Sequence, residues 1–490
     1  MANGRCGRIG SALLGLTTLA GCNLAPAYHR PSLTTPVAYT DMGPWTPASP
    51  SDAAPRGAWW TVYNDPVLNS LEARIDSSNP SLAAALSRYD AARQIANEAA
   101  SAQWPSIGVD GVDTQNRRSD NEPLRSYTPP SNYQNEEVLG SFSYELDLWG
   151  RVRNLVAEGR AQAQASGADA GAIRLSLEAQ LADAYFSLRG MEAQEKLLQD
   201  TSAAYARALQ LTEYEHTGGI VPGLDVSQAQ TQYDSAVAQL SDAIATRALY
   251  LHEIATLVGI AAPSFTLASE PNLPIPPVVP VATPSYLLQR RPDVAAAERR
   301  AAAANAQIGV ARAAFFPQIE LDAQGGWQSN GGGINLFQAG NTLWSLGPSL
   351  ALTLFDGGYR RAADRAAIDQ FNAASSDYKS VVLTAFQQVE DNLVLCNRLA
   401  VEQAQQDLAV RSAAHTTDLS MTLYNDGAVT YLDVVTAQTA QLQAQQIELN
   451  VATRRLQASV NLIQALGGGW TPGLIEGAVA ATGNKPSPKS

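Results

Sequence analysis

The side chains in this sequence best suited to acid–base catalysis or metal binding are four histidines, and their spacing serves neither purpose. They are His29, His216, His252 and His415. No two are close enough in sequence to form the His-x3-His pair of a helical metal site. The sequence also lacks a nucleophile elbow and a phosphate-binding glycine loop with its lysine. It therefore predicts no enzymatic activity, no metal site and no bound cofactor.

One cysteine indicates a covalent lipid. Arg5 and Arg8 precede a short apolar run over residues 9–20, which is typical of a signal peptide and too short to cross a bilayer. The run leads into Leu-Ala-Gly-Cys at Cys22, which resembles the bacterial lipobox, where the cysteine is acylated after cleavage before it. We expect a signal peptide over residues 1–21 and a lipid, such as palmitate, on Cys22. An ordinary signal peptide with a chance cysteine is the alternative.

The other two cysteines cannot form a disulfide within the mature chain. Cys6 leaves with the signal peptide, so Cys396 is the one that remains beside Cys22. Residues 22–58 are rich in proline, serine, threonine and alanine, which predicts a lipidated, extended tether. Asn23 favours the outer membrane, because aspartate at that position favours inner-membrane retention in enterobacteria.

Charge and composition narrow the class of protein further. The net charge of −13 argues against a nucleic-acid partner, which would require a basic surface. Hydrophobic residues make up 45% of the chain, but no uncharged apolar run beyond the signal peptide approaches the ~18 residues of a transmembrane helix. Much of the apolar fraction is alanine, which favours helices.

A motif that occurs twice constrains the fold most strongly. Leu224-Asp225-Val226 recurs 208 positions later as Leu432-Asp433-Val434. The prolines that begin two other matching segments, Pro80 and Pro292, lie 212 positions apart. Two copies of about two hundred residues indicate an ancestral domain duplication rather than a solenoid.

Each copy is predicted to contain a helix, a hairpin, a long helix, a turn and a second helix. The first helix begins at a proline, and alternating residues after it predict two strands of roughly ten residues joined by a polar loop. No proline interrupts the next segment, which predicts a helix of nearly seventy residues, about 100 Å long. The predicted boundaries are 59–262 for the first copy, with its hairpin at 105–149 and turn at 218–225; 263–286 for a linker; 287–470 for the second copy, with its hairpin at 317–356 and turn at 426–433; and 471–490 for a tail.

Each hairpin ends at a corner that combines an aromatic residue, a glycine and an arginine. Such a corner suits a membrane boundary, where an aromatic ring lies at the interface and a cation lies outside the hydrocarbon. A plain turn from strand to helix is the alternative. The corner residues are Trp149, Gly150 and Arg151 in the first copy, and Phe355, Gly357 and Arg360 in the second.

The number of strands predicts an oligomer. The alternation leaves one face of each hairpin apolar and the other polar, as in a membrane barrel with a lipid face and a wet face. Two hairpins supply four strands, which are too few to close a barrel, and an open edge is not tolerated in lipid. Several chains must therefore share one barrel, and the strand count leaves their number open.

Several segments resemble a known family. Arg290-Arg291-Pro292-Asp293-Val294, the stretch from Ile308 to Pro317, Tyr144 to Arg151 and Leu466 to Trp470 look like the signatures of outer-membrane efflux lipoproteins. These are TolC-like channel proteins of the group often called NodT-like. The resemblance covers nearly the whole chain from Cys22 to Trp470, in order.

This resemblance implies a mainly α fold with a transmembrane β-barrel. The protein would be a homotrimer with twelve strands in one barrel, long periplasmic helices that form a tunnel, and a mixed equatorial region that includes residues 59–71, residues 263–286 and the C-terminal segment. It would lie in the cell outer membrane, anchored by lipid, and extend into the periplasm. It would passively conduct small molecules delivered by a periplasmic adaptor protein and an inner-membrane transporter of the resistance-nodulation-division (RND) class.

The two Leu-Asp-Val turns are the predicted functional residues, because in this family the tips of the longest helices form the periplasmic entrance and meet the adaptor. Asp225 and Asp433 either stabilise a helix N-terminus or form an acidic ring that gates the entrance and favours cations. Glycines would permit the turns and apolar residues would contact the adaptor; these are Gly218, Gly219, Leu224 and Val226 in the first turn, and Gly427, Leu432 and Val434 in the second.

Two other functions remain open from the sequence. A TolC-like channel could serve protein secretion instead of small-molecule efflux. A lipid-anchored helical scaffold without a pore is the second alternative, although the alternating hairpins argue against it.

Overall fold

The computed structural model describes residues 23–34, 36, 39, 57–119, 121, 132–277, 291–330 and 336–470. The predicted signal peptide, Cys22, most of the predicted tether, part of the linker and the tail lie outside these residues.

Seven α-helices cover most of the described residues. None of them combines the length and the apolar character needed to cross a membrane. A 3₁₀ helix at Trp59–Tyr63 precedes the first. The helices are α1 (Pro66–Ser78), α2 (Pro80–Ser101), α3 (Arg151–Thr217), α4 (Gly223–Leu257), α5 (Pro292–Ala313), α6 (Tyr359–Asn425) and α7 (Tyr431–Ala465).

Prolines and short polar side chains begin the first two helices. Pro66 and Pro80 occupy the first position of α1 and α2, where no backbone donor is needed. Asp65 Oδ1 accepts hydrogen bonds from two backbone amides of α1 at 2.8 and 3.0 Å. Asn79 Oδ1 accepts from two amides of α2 at 2.8 and 3.0 Å. These caps explain why the chain breaks between α1 and α2 without a long loop.

The long helices repeat their lengths in the two copies. α3 and α6 each contain 67 residues, and α4 and α7 each contain 35. The starts of α3 and α6, like those of α4 and α7, lie 208 positions apart. The predicted mainly helical fold with four strands per chain is confirmed.

Four strands form one antiparallel sheet in the order β1-β2-β3-β4. They are β1 (Ser106–Arg117), β2 (Asn132–Glu145), β3 (Gln318–Ser329) and β4 (Thr342–Ala351). β2 belongs to the first copy and β3 to the second, and they pair along ten positions from Glu136 opposite Ser329 to Glu145 opposite Glu320. The sheet therefore joins the two copies, and β1 and β4 are its edges.

The chain divides into two compact units, and each contains segments of both copies. Unit 1 comprises Met1–Pro31, Asp90–Ala165 and Ala297–Tyr378 and includes the sheet. Unit 2 comprises Ser32–Tyr89, Ser166–Ala296 and Lys379–Ser490 and includes α1, α4, α7 and most of α3 and α6.

In unit 2, α4 packs along α7 through alternating alanine and glutamine positions. Ala229, Ala236 and Ala243 are buried at seven-residue intervals. Between them, Gln232 Nε2 donates to Thr439 Oγ1 at 3.2 Å, and Gln446 Nε2 donates to Gln239 Oε1 at 2.8 Å. The small alanines allow close approach, and the paired polar side chains fix one register between the helices.

Candidate functional site

Residues paired across the four strands form rows, and neighbouring rows point to opposite faces of the sheet. One face is mostly apolar and the other mostly polar, although Glu136 lies on the apolar face and Leu139 and Leu343 lie on the polar face. The apolar face is widely exposed in the single chain, with Trp344 80% exposed. One row is Ile107, Phe142, Ala323 and Leu346, and the next is Gly108, Ser141, Gln324 and Ser345.

The polar face of the sheet is acidic. Ser349 Oγ donates to Asp322 Oδ2 at 2.8 Å, so at least one carboxylate is held in place by a neighbouring strand. No lysine or arginine lies on this face in the four described strands. Such a face suits water, and its carboxylates are Asp110, Glu137, Glu145, Glu320 and Asp322.

The first predicted corner links the end of β2 to α3. Trp149 Nε1 donates to the carbonyl oxygen of Pro317 at 2.8 Å, and its ring stacks on Phe316 with centroids 4.7 Å apart. Gly150 has φ 78°, a conformation that favours glycine. Arg151 forms a bidentate ion pair with Glu145. The three corner residues thus close the strand-to-helix junction within unit 1.

An aspartate at this corner was not singled out from the sequence. Asp147 accepts from the backbone amides of Val152 at 3.0 Å and Arg153 at 2.9 Å, so it satisfies two donors at the start of α3. The signal was available, because an aspartate shortly before a helix is a common cap.

The second predicted corner also combines glycines of positive φ with an arginine–carboxylate ion pair, but its aromatic residue does not pack as Trp149 does. Gly357 and Gly358 have φ of 64° and 94°. Asp356 Oδ2 accepts from Arg360 Nε at 2.5 Å, and this bond holds the pKa of the Asp356 carboxyl below its ordinary range. The Arg360 guanidinium lies 5.6 Å from the Phe315 ring centroid. Phe355 is exposed and available for contact outside the chain.

The first Leu-Asp-Val turn joins α3 to α4 in unit 2. Gly219 has φ 74°, and the amide of Ile220 donates to the carbonyl of Glu215 at 2.8 Å, which closes the C-terminus of α3. His216 Nδ1 lies 2.9 Å from the carbonyl oxygen of Val221. This contact between His216 and Val221 therefore stabilises the turn.

The second turn joins α6 to α7 with the same backbone pattern. Gly427 has φ 71°, and the amide of Ala428 donates to the carbonyl of Leu423 at 2.8 Å. Asp433 Oδ2 accepts from Thr430 N at 2.9 Å, and the Thr430 side chain accepts from the Asp433 backbone amide, which together form a capping box. Asp433 Oδ2 also accepts from Thr430 Oγ1 at 2.7 Å. The hydroxyl bond holds the pKa of Asp433 below its ordinary range. Asp225 lies in the first turn of α4, whose N-cap residue Pro222 makes no side-chain bond.

The residues of the two turns that were predicted to contact the adaptor differ in their exposure to solvent. Leu224 and Leu432 are exposed, as an adaptor contact requires. Val434 is fully buried in a cluster with Leu209, Ala229 and Tyr431, and Val226 packs against that cluster. The assignment of Val434 as an adaptor contact is therefore corrected: its side chain faces the helix core.

One exposed apolar residue of the first turn lies outside the Leu-Asp-Val motif and was not predicted as a contact residue. Ile220 is 77% exposed. The position 208 residues later, which is its counterpart in the second turn, is Ala428. The repeat alignment contains this difference, which lies outside the shared Leu-Asp-Val core.

Across the described parts of the chain, no group of three or more histidine, cysteine, aspartate or glutamate side chains could hold a metal ion.

Comparison with known proteins relates these surfaces to a family. The family model described as outer membrane efflux protein matches residues 73–259 and 283–468. The toluene efflux pump outer membrane protein TtgC of Pseudomonas putida is 32% identical over 458 residues, covering 92% of this chain and 93% of its own. The outer membrane protein OprJ of Pseudomonas aeruginosa is 31% identical over 478 residues, covering 94% and 96%. The solved structure of the outer-membrane channel OprN superposes with a TM-score of 0.84 at 28% identity, covering 92% of this chain and 100% of that one.

Proposed function

This chain belongs to the outer membrane efflux protein family, and we propose that it is the outer-membrane channel of a tripartite system that expels small molecules. The observation that carries this function is the alternation of the sheet, in which the row through Ile107 and Leu346 is apolar and the row through Gly108 and Ser345 is small and polar. One face suits lipid and the other suits water. Relatives named for toluene and antibiotic efflux support small organic compounds as the substrate class.

The open sheet supports a homotrimer. β1 and β4 each leave one side of a strand unpaired, which is not tolerated in hydrocarbon. Three chains would supply twelve strands for a closed barrel with the carboxylates of the polar face toward the water-filled interior.

The two turns are the proposed contact with a periplasmic adaptor, which links the channel to an RND transporter in the inner membrane. Ile220, Leu224 and Leu432 offer exposed apolar side chains at these turns. We also propose that Cys22 carries the covalent lipid.

Conductance in a planar bilayer tests the channel. Purified protein should form stable ion-conducting pores, whereas a lipid-anchored scaffold would conduct nothing. The same gene should restore resistance to toluene in a strain that lacks its own outer-membrane efflux channel. Pores without restored resistance would favour a secretion channel over efflux.

Substitution at the turns tests the adaptor contact separately. Ile220→Asp with Leu224→Asp should abolish resistance and adaptor crosslinking while conductance stays unchanged. Ile95→Asp, at an exposed position of α2, is the matched control. Equal resistance in both variants would reject the turns as the docking surface.

Substitution of the two aspartates tests whether they form an acidic ring at the entrance. Asp225→Ala with Asp433→Ala should reduce the cation preference of the pore if the two carboxylates line the entrance. Unchanged conductance and unchanged cation preference would reject the ring and leave the capping box as the role of Asp433.

A further inference from the structure

One aromatic pair closes the helix-side end of the β2–β3 pairing. Trp149 follows β2 and Phe316 precedes β3, and their rings stack with centroids 4.7 Å apart. The Trp149 indole Nε1 also donates to the carbonyl oxygen of Pro317 at 2.8 Å. This contact lies where the two repeats of one chain meet.

The aromatic pair continues the register of the two strands. The amide of Leu146 donates to the carbonyl oxygen of Ile319 at 2.9 Å, directly beyond the last pair of the β2–β3 ladder. Trp149 lies three residues after Leu146, and Phe316 lies three residues before Ile319. In an antiparallel pair, equal distances in opposite directions bring two residues opposite each other. The stacking therefore follows from the strand register.

Both halves of this contact recur at the other two strands. The segment from Leu146 to Trp149 matches the segment from Leu352 to Phe355 after β4, in the pattern leucine, any residue, leucine, aromatic. The segment from Phe316 to Ile319 matches the segment from Trp104 to Ile107 at β1, in the pattern aromatic, proline, any residue, isoleucine. β4 and β1 are the edges of the sheet, so the recurring halves lie apart on one chain.

The recurring aromatic rings are far more exposed than the stacked ones. Trp104 is 76% exposed and Phe355 is 88% exposed, whereas Phe316 is 40% exposed and Trp149 is half-buried. Aromatic rings are among the side chains that contribute most to interfaces between proteins. The two edges of the sheet therefore carry the surface that the inner strands cover within the chain.

We propose that Phe355 stacks on Trp104 of a neighbouring copy, as Trp149 stacks on Phe316 within each chain. The partner is a second copy of this chain, because the missing contact is one that the chain already forms between its own repeats. This inference rests on the proposed trimer and adds the side chains and the register that join the copies. A closed ring would then contain six aromatic pairs, three within chains and three between them.

The proposed pair sets one register between β4 and β1 of the neighbouring copy. Leu352 comes opposite Ile107, since each lies three residues from the aromatic ring on its own strand. Leu350 comes opposite Val109 two residues further along. All four aliphatic side chains are exposed in the single chain. The register therefore covers apolar residues of one edge with apolar residues of the other.

A register shifted by two residues is the competing arrangement. Phe142 and Leu350, which pair with the matching isoleucines of β1 and β3, lie 208 positions apart. The aromatic residues after β2 and β4 lie 206 positions apart. A spacing of 208 would set Phe355 opposite Ser106 of the neighbouring copy, and the Trp104 ring would then lack its partner.

The contact between copies lacks one bond that the contact within the chain has. Trp149 donates its indole N–H to the carbonyl oxygen of Pro317, and a phenylalanine has no such donor. Pro105 is the proline that matches Pro317. Phe355→Trp should therefore strengthen the contact between copies, because the indole can donate to the carbonyl oxygen of Pro105.

Disulfide formation tests the register. Trp104→Cys with Phe355→Cys, in a Cys396→Ala background, sets two cysteines opposite each other in neighbouring copies. Oxidation of the mature full-length protein in outer-membrane fractions should yield covalent species of two and three chains on non-reducing electrophoresis. Ser106→Cys with Phe355→Cys is the matched control and should link weakly. Links in the control pair alone would overturn the aromatic contact.

Thermal dissociation of the oligomer tests the rings themselves. Phe355→Ala and Trp104→Ala should each lower the temperature at which the heat-resistant oligomer dissociates, and the double variant should lose little more than either single one. Phe355→Trp should raise that temperature. Phe337→Ala is the control, because this ring packs on Trp327 of its own chain near the opposite end of the sheet.

The outcomes distinguish the aromatic contact from the trimer. A heat-resistant oligomer whose dissociation temperature neither alanine variant changes would overturn the contact and leave the trimer intact. Absence of any oligomer and of any covalent link, in the parent protein as well, would reject the trimer and the contact together. Conductance of the same samples reports on the pore independently.

Discussion

At the scale of single residues, Glu72 of α1 is a buried carboxyl group in unit 2. It is 1% exposed, and neither carboxylate oxygen accepts a hydrogen bond from the described residues. Burial raises its pKa to about 10, and the nearby carboxylates of Glu178 and Asp76 act in the same direction. Arg174 contacts both of those neighbours, at 2.9 and 2.6 Å. Glu72 is therefore protonated at neutral pH.

Replacing Glu72 should stabilise the protein most at high pH. The folded chain retains a proton that the unfolded chain releases above its ordinary pKa of 4.5, so stability falls as pH rises from 4.5 toward 10. Glu72→Gln removes this dependence, and its advantage in the free energy of unfolding should grow by at most about 1.4 kcal/mol per pH unit. Thermal unfolding at pH 5, 7 and 9 measures the trend. The exposed Glu98→Gln serves as the control, and an advantage independent of pH would contradict the buried proton.

The residues of the turns show what the sequence could and could not identify. The motif located both turns and placed Asp433 in the first turn of a helix, where the structure has it. The same motif could not distinguish Leu432, which is exposed, from Val434, which is buried. That distinction depends on Leu209 of α3, more than two hundred residues earlier in the chain.

At the scale of elements, the packing of α4 against α7 depends on small residues at regular intervals. Ala236 is the central member of the buried alanines and lies between Gln232 and Gln239, whose side chains bond to α7. Larger side chains would separate the helices and break these bonds.

Enlarging Ala236 should therefore destabilise unit 2. Ala236→Met is expected to cost about 1–3 kcal/mol through overpacking. Ala238→Met, two residues away at an exposed position, should have little effect. Denaturant unfolding of the two variants compares them directly, and equal stability would show that the helices separate without strain.

The two faces of the sheet should respond oppositely to a charge. Leu346→Arg places a cation on the apolar face and should cost about 2–4 kcal/mol if the position lies near the bilayer midplane. Ser345→Arg places the same side chain on the polar face, where water and carboxylates accommodate it. The amount of heat-resistant oligomer in outer-membrane fractions measures both. Greater loss with Ser345→Arg would reverse the assignment of the faces.

The elements themselves were largely readable from the sequence because local signals marked their ends. Pro80 and Pro292 begin α2 and α5, and the uninterrupted segments after each corner form helices of 67 residues. The pairing of β2 with β3 could not be read, since it joins strands from different copies. The hydrogen bonds that hold residues 23–26 to unit 1 were equally hidden, because their partners Asn154 and Asn305 are single asparagines within long helical stretches.

At the scale of the whole molecule, the unpaired edges of β1 and β4 determine how chains assemble. Each chain brings one edge of each kind, so the edge of β1 can pair with β4 of another copy. Such head-to-tail pairing forms a ring when the rotation between copies closes.

Cysteines at the two edges should therefore link chains to one another. Pairs of cysteines, one scanned along β1 and one along β4 in a Cys396→Ala background, are expected to yield covalent species of one, two and three chains after oxidation. Non-reducing electrophoresis displays the series. Species of four or more chains, or no crosslink at any register, would contradict a closed trimer joined at these edges.

The hydrogen bonds between α4 and α7 bear on how many partner molecules a trimer could bind. The two hydrogen bonds, Gln232 to Thr439 and Gln446 to Gln239, each join residues 207 positions apart. This separation is nearly the spacing of the repeat, so α4 and α7 contact each other at almost equivalent positions. A trimer would then present six similar turns. A partner that recognised only the shared backbone could bind with sixfold stoichiometry, whereas one that distinguished Ile220 from Ala428 would bind with threefold stoichiometry. Ile220 is thus one of the residues that determine whether a partner binds this protein with threefold or sixfold stoichiometry.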